Sequence, residues 1–384
     1  HLVLREEARS RDHRIIGPKL GIFQIFEEAG PGLVVWLPEG MVLRRLIENY
    51  WIDEHKKAGY RFIFSPHIAR SQLWARSGHL DFYKENMFVF PYENGEYVIK
   101  PMNCPFHILV YNSETRSYRD LPIRLAELGT VYRDERSGVL HGLLRVKGFT
   151  QDDGHIFCSP DQVVDEVAEV VKLAHKFLNR YGFKRYRIDL SVRDPDHREK
   201  YLGDDEIWEM AETGLTEALD RLGIRYKKVV GEAVFYGPKI DIHAFDALGR
   251  PHQLTTVQFD FNLPRRFNAV YMDRDGTKQE VVMIHRAIYG SIERFVGILI
   301  EHYGGDFPLW LAPVQVAVLP VSERQVEFAM KVIARMRRAK LRAVIDHRNE
   351  RLSYRIREAE LRKIPYMVII GDREIRKNLI SIRR

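Results

Sequence analysis

The sequence predicts an α+β domain built on an antiparallel sheet, followed by a small α/β domain. Strands are expected at Arg225–Val230, Lys239–Phe245 and Gln253–Phe261, the last two joined by the tight turn Leu248-Gly249-Arg250-Pro251. Consecutive strands linked this way pair antiparallel, and helical patterns flank them, which makes the class α+β. After Pro308 and Pro313 the pattern alternates strand, helix, strand, helix, strand. That alternation calls for a mostly parallel sheet with crossover helices. A chain of 384 residues with 45% hydrophobic content has room for both cores. The expected division is a linker remnant over 1–20, a first domain over 21–310 and a second over 311–384.

Taken in order, residues 1–20 are charged and read as irregular, with Arg5, Arg9, Arg11 and Arg14 close together. Phe23 to Pro38 reads as short strands broken by Gly30-Pro31-Gly32. From Met41 to Ala58, Leu43, Leu46, Ile47, Tyr50 and Trp51 follow helical spacing, and Gly59 ends the helix. Tyr60–Phe64 is a strand before Pro66. Ser77-Gly78-His79 opens a loop. Tyr97–Lys100 is a strand leading into a bend at Pro101-Met102-Asn103-Cys104-Pro105-Phe106-His107, with a proline at each side of the cysteine. Ser159-Pro160-Asp161 is a helix start; Val164, Val167, Val171, Ala174, Phe177 and Leu178 mark its core face. A second helix runs from Asp204 to Leu222. Val281–Ala287 is a strand, and Gly290-Ser291 opens a helix with Arg294 in its first turn. In the last domain, strands are expected at Val314–Leu319, Leu341–Ile345, Tyr366–Ile370 and near Leu379, with helices at Ser322–Arg338 and Leu352–Lys363.

Composition narrows the class. Two cysteines, Cys104 and Cys158, against fifteen histidines do not make a disulfide scaffold, and they fit a reducing cytoplasm. No apolar run is long enough for a membrane span, and no signal peptide is evident. The chain begins with His1 rather than Met, so a fragment or processed chain is expected. Residues 311–384 carry 18 Lys and Arg against 8 Asp and Glu, a net of +10, whereas the whole chain is at +7. A basic excess confined to one small domain suits a polyanionic partner, although solvated helix faces would carry the same charges.

The stretch ELGTVYRDERSGVLHGLLRVKGFTQDDGHIF, Glu127 to Phe157, is the chemical centre. It reads as two strands around a basic loop, with Ser137-Gly138 at the turn and the second strand running from Leu143 to Phe157. Side chains alternate along a strand, so Arg145, Lys147, Gln151, Asp153 and His155 are expected on one face. Such a row suits a polar, anionic substrate; it is also what a solvated antiparallel face looks like.

This stretch resembles the second signature motif of the class II aminoacyl-tRNA synthetases, carried by Tyr132-Arg133-Asp134-Glu135 and Arg145-Val146-Lys147-Gly148-Phe149. FTQDDGHIF is similar to the threonine-specific branch of that family, and the likeness runs from Asp12 to the end of the chain. The long helix, strand and Pro66 match the first motif, whose role in the family implies a homodimer. Gly290-Ser291 and Arg294 match the third. The resemblance implies a class II catalytic fold for 21–310 and an anticodon-binding domain for 311–384.

The resemblance also implies ligands and roles. Cys104, His155 and His285 become the ligands of one Zn²⁺; from the residues alone, Cys104 reads as a small buried hydrophobe, the usual role of a free cysteine. Three protein ligands leave a position open, the pattern of a working zinc. Phe106 departs from the family, which often has Gly there. Arg133, Glu135, Arg145, Gln253 and Arg294 are implied to hold ATP with Mg²⁺, with Arg133, Arg294, Lys239 and His79 serving catalysis. Met102, Gln151, Asp153, Tyr236 and Gln258 are implied to line a threonine pocket. Asn349, Arg357 and Glu374 would contact anticodon bases of tRNA(Thr). The family's chain continues past Arg384, so a truncated C-terminus is expected, and no editing domain is found in these residues. A prolyl or seryl enzyme of the same class is the nearest alternative, argued against by the ligand set and FTQDDGH. A non-catalytic tRNA-binding relative is a second; a zinc hydrolase is disfavoured by the lack of an HExxH pair.

Overall fold

The structure, a computed structural model, describes residues 2–384. The chain packs as two compact units: residues 31–33 with 50–295, and residues 1–30, 34–49 and 296–384 together. No helix among the described residues is long and apolar enough to cross a membrane.

The larger unit is organised by an eight-stranded sheet. Its strands are β1 (Arg61–Phe62), β2 (Ile123–Tyr132), β3 (Gly148–Cys158), β4 (Tyr186–Val192), β5 (Lys227–Val230), β6 (Lys239–Phe245), β7 (Pro251–Asp260) and β8 (Val282–Ala287), in the spatial order β5-β4-β6-β7-β8-β3-β2-β1. The six central strands pair antiparallel; only the edge pairs β5–β4 and β2–β1 are parallel. The predicted antiparallel sheet is therefore observed, and β8, widely spaced from β3 in sequence, inserts beside it with β7 on its far side.

Helices cover one face. Val163–Arg180 buries Val167, Val171, Ala174, Phe177 and Leu178, as its spacing predicts, and lies against Asp205–Arg221. Asp204 starts the latter by accepting the Ile207 N–H at 2.9 Å. On the other side Cys104–Tyr111 packs Ile108 and Tyr111 against Ile123, Leu125 and Phe157, with the Tyr111 and Phe157 rings stacked at 4.5 Å. This segment was expected to be a bend. It is a helix because Pro105 occupies its first turn, where a missing N–H costs nothing.

Three further local expectations change. β3 begins at Gly148, not Leu143, so Arg145 and Lys147 belong to the preceding loop. Ser77-Gly78-His79 is not loop: Ser71–Ser77 is a helix closed by Gly78 at φ +82°, and a short helix follows. Leu2–Ser10 and His13–Lys19 are helical rather than irregular; Asp12 caps the second by accepting the Arg14 N–H at 2.8 Å. His1 lies outside the described residues.

In the second unit, β9 (Val316–Pro320), β10 (Ala343–Ile345), β11 (Tyr366–Ile370) and β12 (Ser381–Arg383) form a sheet ordered β10-β9-β11-β12, parallel except for the last pair. Alternate residues of β9 feed opposite cores. Val316 and Val318 join Ala329 and Ile333 of helix Val326–Arg338, while Ala317 and Leu319 join Ala359 of helix Leu352–Leu361. Helix Asp372–Lys377 was not predicted.

Candidate functional site

The sheet's second face floors a cavity of about 590 Å³. Register decides who meets there. His155 on β3 stands directly opposite His285 on β8, and His285 stands opposite Gln258 on β7. Paired residues share a face, so side chains 130 positions apart in the chain become neighbours. Cys104, at the start of its helix, closes the third side. One donor atom from each of Cys104, His155 and His285 lies within 4.8 Å of the others.

The partners of these three fix their direction. His285 Nε2 is 2.8 Å from Asp260 Oδ2 and donates to it, which leaves Nδ1 as the bare nitrogen. That Nδ1 is 3.0 Å from His155 Nε2. Burial drives the His155 imidazole well below its ordinary range, toward the neutral form a metal requires. Burial, then Asp153 and Asp260, pushes the Cys104 thiol well above its ordinary range. A thiolate there is disfavoured without a cation and favoured with one. A thiol and two aimed imidazoles on a cavity wall, open on the remaining side, fit a zinc ion.

Beside this triad the wall is polar and ordered. Asn103 Nδ2 donates to Asp153 Oδ2 at 3.0 Å, and the Tyr236 hydroxyl donates to Gln258 Oε1 at 2.8 Å. Gln151 and Met102 complete that part of the lining. The closeness of Asn103 explains Gly129: a Cβ there would sit 2.4 Å from the Asn103 amide. Met102 Sδ lies 3.0 Å from His79 Nε2, and His79 Nδ1 is 2.7 Å from Ser77 Oγ. Since the Ser77 hydroxyl donates to Trp74 O, its oxygen accepts from Nδ1–H, and Nε2 is left bare. Burial and the nearby His285 bring the His79 pKa down to about 4.

The cavity's other end is cationic. Arg133 lies over the Phe149 ring at 5.1 Å and the Tyr83 ring at 5.7 Å, and its Nε donates to Pro101 O at 3.2 Å. Two aromatic faces and one carbonyl hold a guanidinium without neutralising it. Arg145 pairs with Glu135 Oε2 at 2.8 Å. Arg294 sits in the first turn of helix Ile292–Tyr303, whose start is held by Ser291 Oγ accepting the Arg294 N–H at 3.1 Å. Burial, then repulsion from Arg145, lowers the Arg294 pKa. Two guanidiniums that repel one another are relieved by a polyanion, and helix N-termini favour one.

Of the residues named from sequence, Met102, Cys104, His79, Arg133, Glu135, Arg145, Gln151, Asp153, His155, Tyr236, Gln253, Gln258, His285 and Arg294 all line this one cavity. Lys239 does not: it stands opposite Gln258 but its Nζ is bound to Asp241 Oδ2 at 2.7 Å. Gln253 is tied to the same carboxylate at 2.7 Å. Lys147 pairs with Asp134 at 2.8 Å instead of joining the row. Asp260 and Asn103 were missed. Asp260 had a signal, since Thr256, Gln258 and Asp260 alternate onto one face; Asn103 had none beyond adjacency to Cys104.

Two family profiles match the chain: the tRNA synthetase class II core domain (G, H, P, S and T) over residues 88–303, and an anticodon binding domain over residues 315–384. The chain belongs to the class II aminoacyl-tRNA synthetases. It is 51% identical to a threonine–tRNA ligase of Acidobacterium capsulatum, over all of this chain and 56% of that one. It is 52% identical to the chloroplastic/mitochondrial threonine–tRNA ligase 2 of Arabidopsis thaliana, over all of this chain and 58% of that one. The chain thus spans less than two thirds of these curated relatives. Among solved structures it resembles the RNA binding domain of threonyl-tRNA synthetase from Cryptosporidium parvum, with a TM-score of 0.91, 40% identity, and 97% and 92% of the two chains covered. In this chain the three residues named for the anticodon lie in the second unit. Asn349 and Arg357 are exposed, whereas Glu374 accepts the Gly371 N–H at 2.9 Å and the Ser381 hydroxyl at 2.7 Å, which ties β12 to the start of helix Asp372–Lys377.

Proposed function

We propose that the chain is the catalytic and anticodon-binding part of a threonine–tRNA ligase, with residues 21–310 carrying the chemistry and 311–384 reading tRNA(Thr). One observation carries this reading. A thiol and two imidazoles at metal-ligand spacing share a cavity with Arg133, Arg145 and Arg294, which joins a selector for a β-hydroxy amino acid to a seat for a polyphosphate.

In the first step the threonine carboxylate attacks the α-phosphorus of ATP, and pyrophosphate leaves. Arg133 spans the carboxylate and the α-phosphate; Arg145 and Arg294 hold the outer phosphates, with Mg²⁺ on ATP. Glu135 takes the adenine amine, for which Arg145 must release it. Gln253 completes the nucleotide site. Lys239 turns from Asp241 toward the α-phosphate. No proton has to move here, so alignment and charge stabilisation do the work. In the second step a hydroxyl of the terminal tRNA ribose attacks the threonyl carbonyl and AMP leaves; His79 Nε2, already bare, takes the hydroxyl proton. Asn349, Arg357 and Glu374 serve the anticodon, and the chain acts as a homodimer in the cytoplasm.

Cys104, His155 and His285 would hold a zinc ion, which would supply Lewis acidity toward the polar groups of threonine. Asp153, held by Asn103, accepts from those groups, and Met102, Gln151, Tyr236 and Gln258 shape the rest. Valine lacks the hydroxyl and leaves polar groups unpaired, a difference worth about 10⁴-fold or more in such sites. Serine differs by one methyl, roughly 1–3 kcal/mol, and is the expected error.

Amino-acid-dependent ATP–pyrophosphate exchange tests the reading. Threonine should support exchange, serine weakly, valine and proline not at all. Cys104→Ser should lose zinc and threonine activation together. Exchange driven best by proline or serine, or full activation by Cys104→Ser with no metal bound, would refute it.

A further inference from the structure

Behind the cavity wall lies a buried charged chain that touches none of the substrates assigned above. Ser65, Lys100, Glu127 and His107 are each at most 3% exposed, and none of them lines the cavity. Lys100 Nζ donates to Ser65 Oγ at 2.6 Å, and the Ser65 hydroxyl donates to Glu127 Oε1 at 2.7 Å. The Ser65 N–H donates to Glu127 Oε2 at 2.9 Å. His107 Nε2 lies 3.4 Å from Glu127 Oε1. Burial opposes the Glu127 charge, yet the His107 contact, then Lys100 and Ser65, hold its pKa below the ordinary carboxylate value. Taking an ion pair out of water costs several kcal/mol, and apolar residues would fill the same space without that cost. The chain is therefore a poor device for stability alone.

Its far end points to the use. His107 stands one turn after Cys104 on the same helix, so both project to one side. Its ring meets the His155 ring edge-on, with centroids 4.4 Å apart and planes at 65°. The two histidine ligands differ in how they are held. His285 gives its second nitrogen to Asp260, the usual arrangement for a metal-bound imidazole. His155 Nδ1 is buried with no hydrogen-bond partner among the described residues. No hydrogen bond at that nitrogen fixes the rotation of the ring; the neighbouring ring does.

We propose that His107, anchored through Glu127 to Ser65 and Lys100, is a positioning residue that aims His155 Nε2 at the zinc. The proposal rests on reading Cys104, His155 and His285 as the zinc ligands. It gives the buried ion pair a purpose, because the ring that steers His155 is tethered at its own Nε2 and both rings then hold one rotation.

Zinc affinity, read directly, tests it. The whole chain is stripped of metal and titrated with Zn²⁺ against a chromophoric chelator. His107→Gln keeps a donor for Glu127 but removes the ring edge, and should weaken zinc binding about 10–100-fold. His107→Phe restores the ring but not its anchor and should recover part of the affinity, which a merely polar role would not allow. Glu127→Gln should weaken binding less than His107→Gln. In exchange assays the KM for threonine should rise in His107→Gln while the KM for ATP holds. Wild-type zinc affinity in a folded His107→Gln overturns the proposal and leaves the zinc reading standing; if that variant does not fold, unchanged affinity in Glu127→Gln overturns it. Absence of zinc binding by the unaltered chain removes both.

Discussion

At one end of the cavity Cys104, His155 and His285 project from strand centres and a helix start, the first two buried and His285 half-buried, with Asp260 and neighbouring rings against the imidazoles. At the other, Glu135 and Arg145 stand on a loop and pair with each other, the Arg145 side chain 54% exposed. On the proposed function the first end has to be rigid, because a small amino acid must be told from its near-isosteres and a difference of one hydroxyl is read only by groups that do not relax. On the same reading the second has to be adjustable, because a nucleotide must enter and pyrophosphate must leave. Arg133, at the same cationic end, is held by aromatic faces and is free of any carboxylate within ion-pair distance among the described residues.

Loss of Arg133 should have the largest effect. Arg133→Ala should lower ATP–pyrophosphate exchange by about 10²–10³-fold or more, with the fold unchanged by circular dichroism. Near-normal exchange would detach the two ends from a shared reaction. Gly129→Ala should act on the rigid end alone. Its new Cβ meets the Asn103 amide at 2.4 Å, so Asn103 must leave Asp153 at a cost of about 1–3 kcal/mol of overpacking. The expected result is a raised KM for threonine with the KM for ATP held, in steady-state exchange; equal rises in both would mean that the ends are mechanically coupled.

The His79 pKa of about 4 gives a prediction in pH. An unperturbed imidazole would be protonated below about 6.5 and lose its role as a base. His79 stays neutral well below that, so single-turnover transfer to tRNA should be flat from pH 8 down to 6 and fall only toward pH 4–5. The same shift works on stability. Between pH 6.5 and 4 the unfolded chain binds this proton and the folded chain does not, so the contribution is complete above 6.5 and is lost as pH falls to 4. A transfer rate that halves near pH 6.5 would place His79 in water.

The rigid end was also the more legible in sequence, for a physical reason. β3 is regular, so the alternation of Gln151, Asp153 and His155 carries directly into space. Arg145 and Lys147 sit before Gly148, where the alternation does not apply, and only Arg145 reaches the cavity. The sheet order could not be read from spacing: His155 meets His285 because β8 inserts beside β3, and the pairing came from family resemblance alone. The Cys104 helix read as a bend because proline is legible as a breaker before it is legible as a first-turn residue. Helix Asp372–Lys377 was missed because its start is held by the Glu374 side chain reaching back to the Gly371 N–H, a contact that leaves no apolar period to read.

The smallest effect expected is the most informative about the adjustable end. Arg145 and Glu135 form a well-directed pair, with Arg145 Nε at 3.1 Å and Nη2 at 2.8 Å from one carboxylate oxygen. Over half of the guanidinium side is in solvent, where such pairs contribute about 0–1 kcal/mol. Glu135→Gln should therefore change thermal stability by less than about 1 kcal/mol. Its effect on ATP has two opposing parts: the variant frees Arg145 for the phosphates but takes away a carboxylate acceptor for the adenine amine. If the pair is a resting contact that ATP replaces, weaker adenine recognition should show as reduced discrimination between ATP and GTP in exchange assays, with little change in maximal rate. If it is a fixed brace, stability should fall by more than about 1 kcal/mol while nucleotide preference stays put, and the contrast between a rigid and an adjustable end would have to be given up.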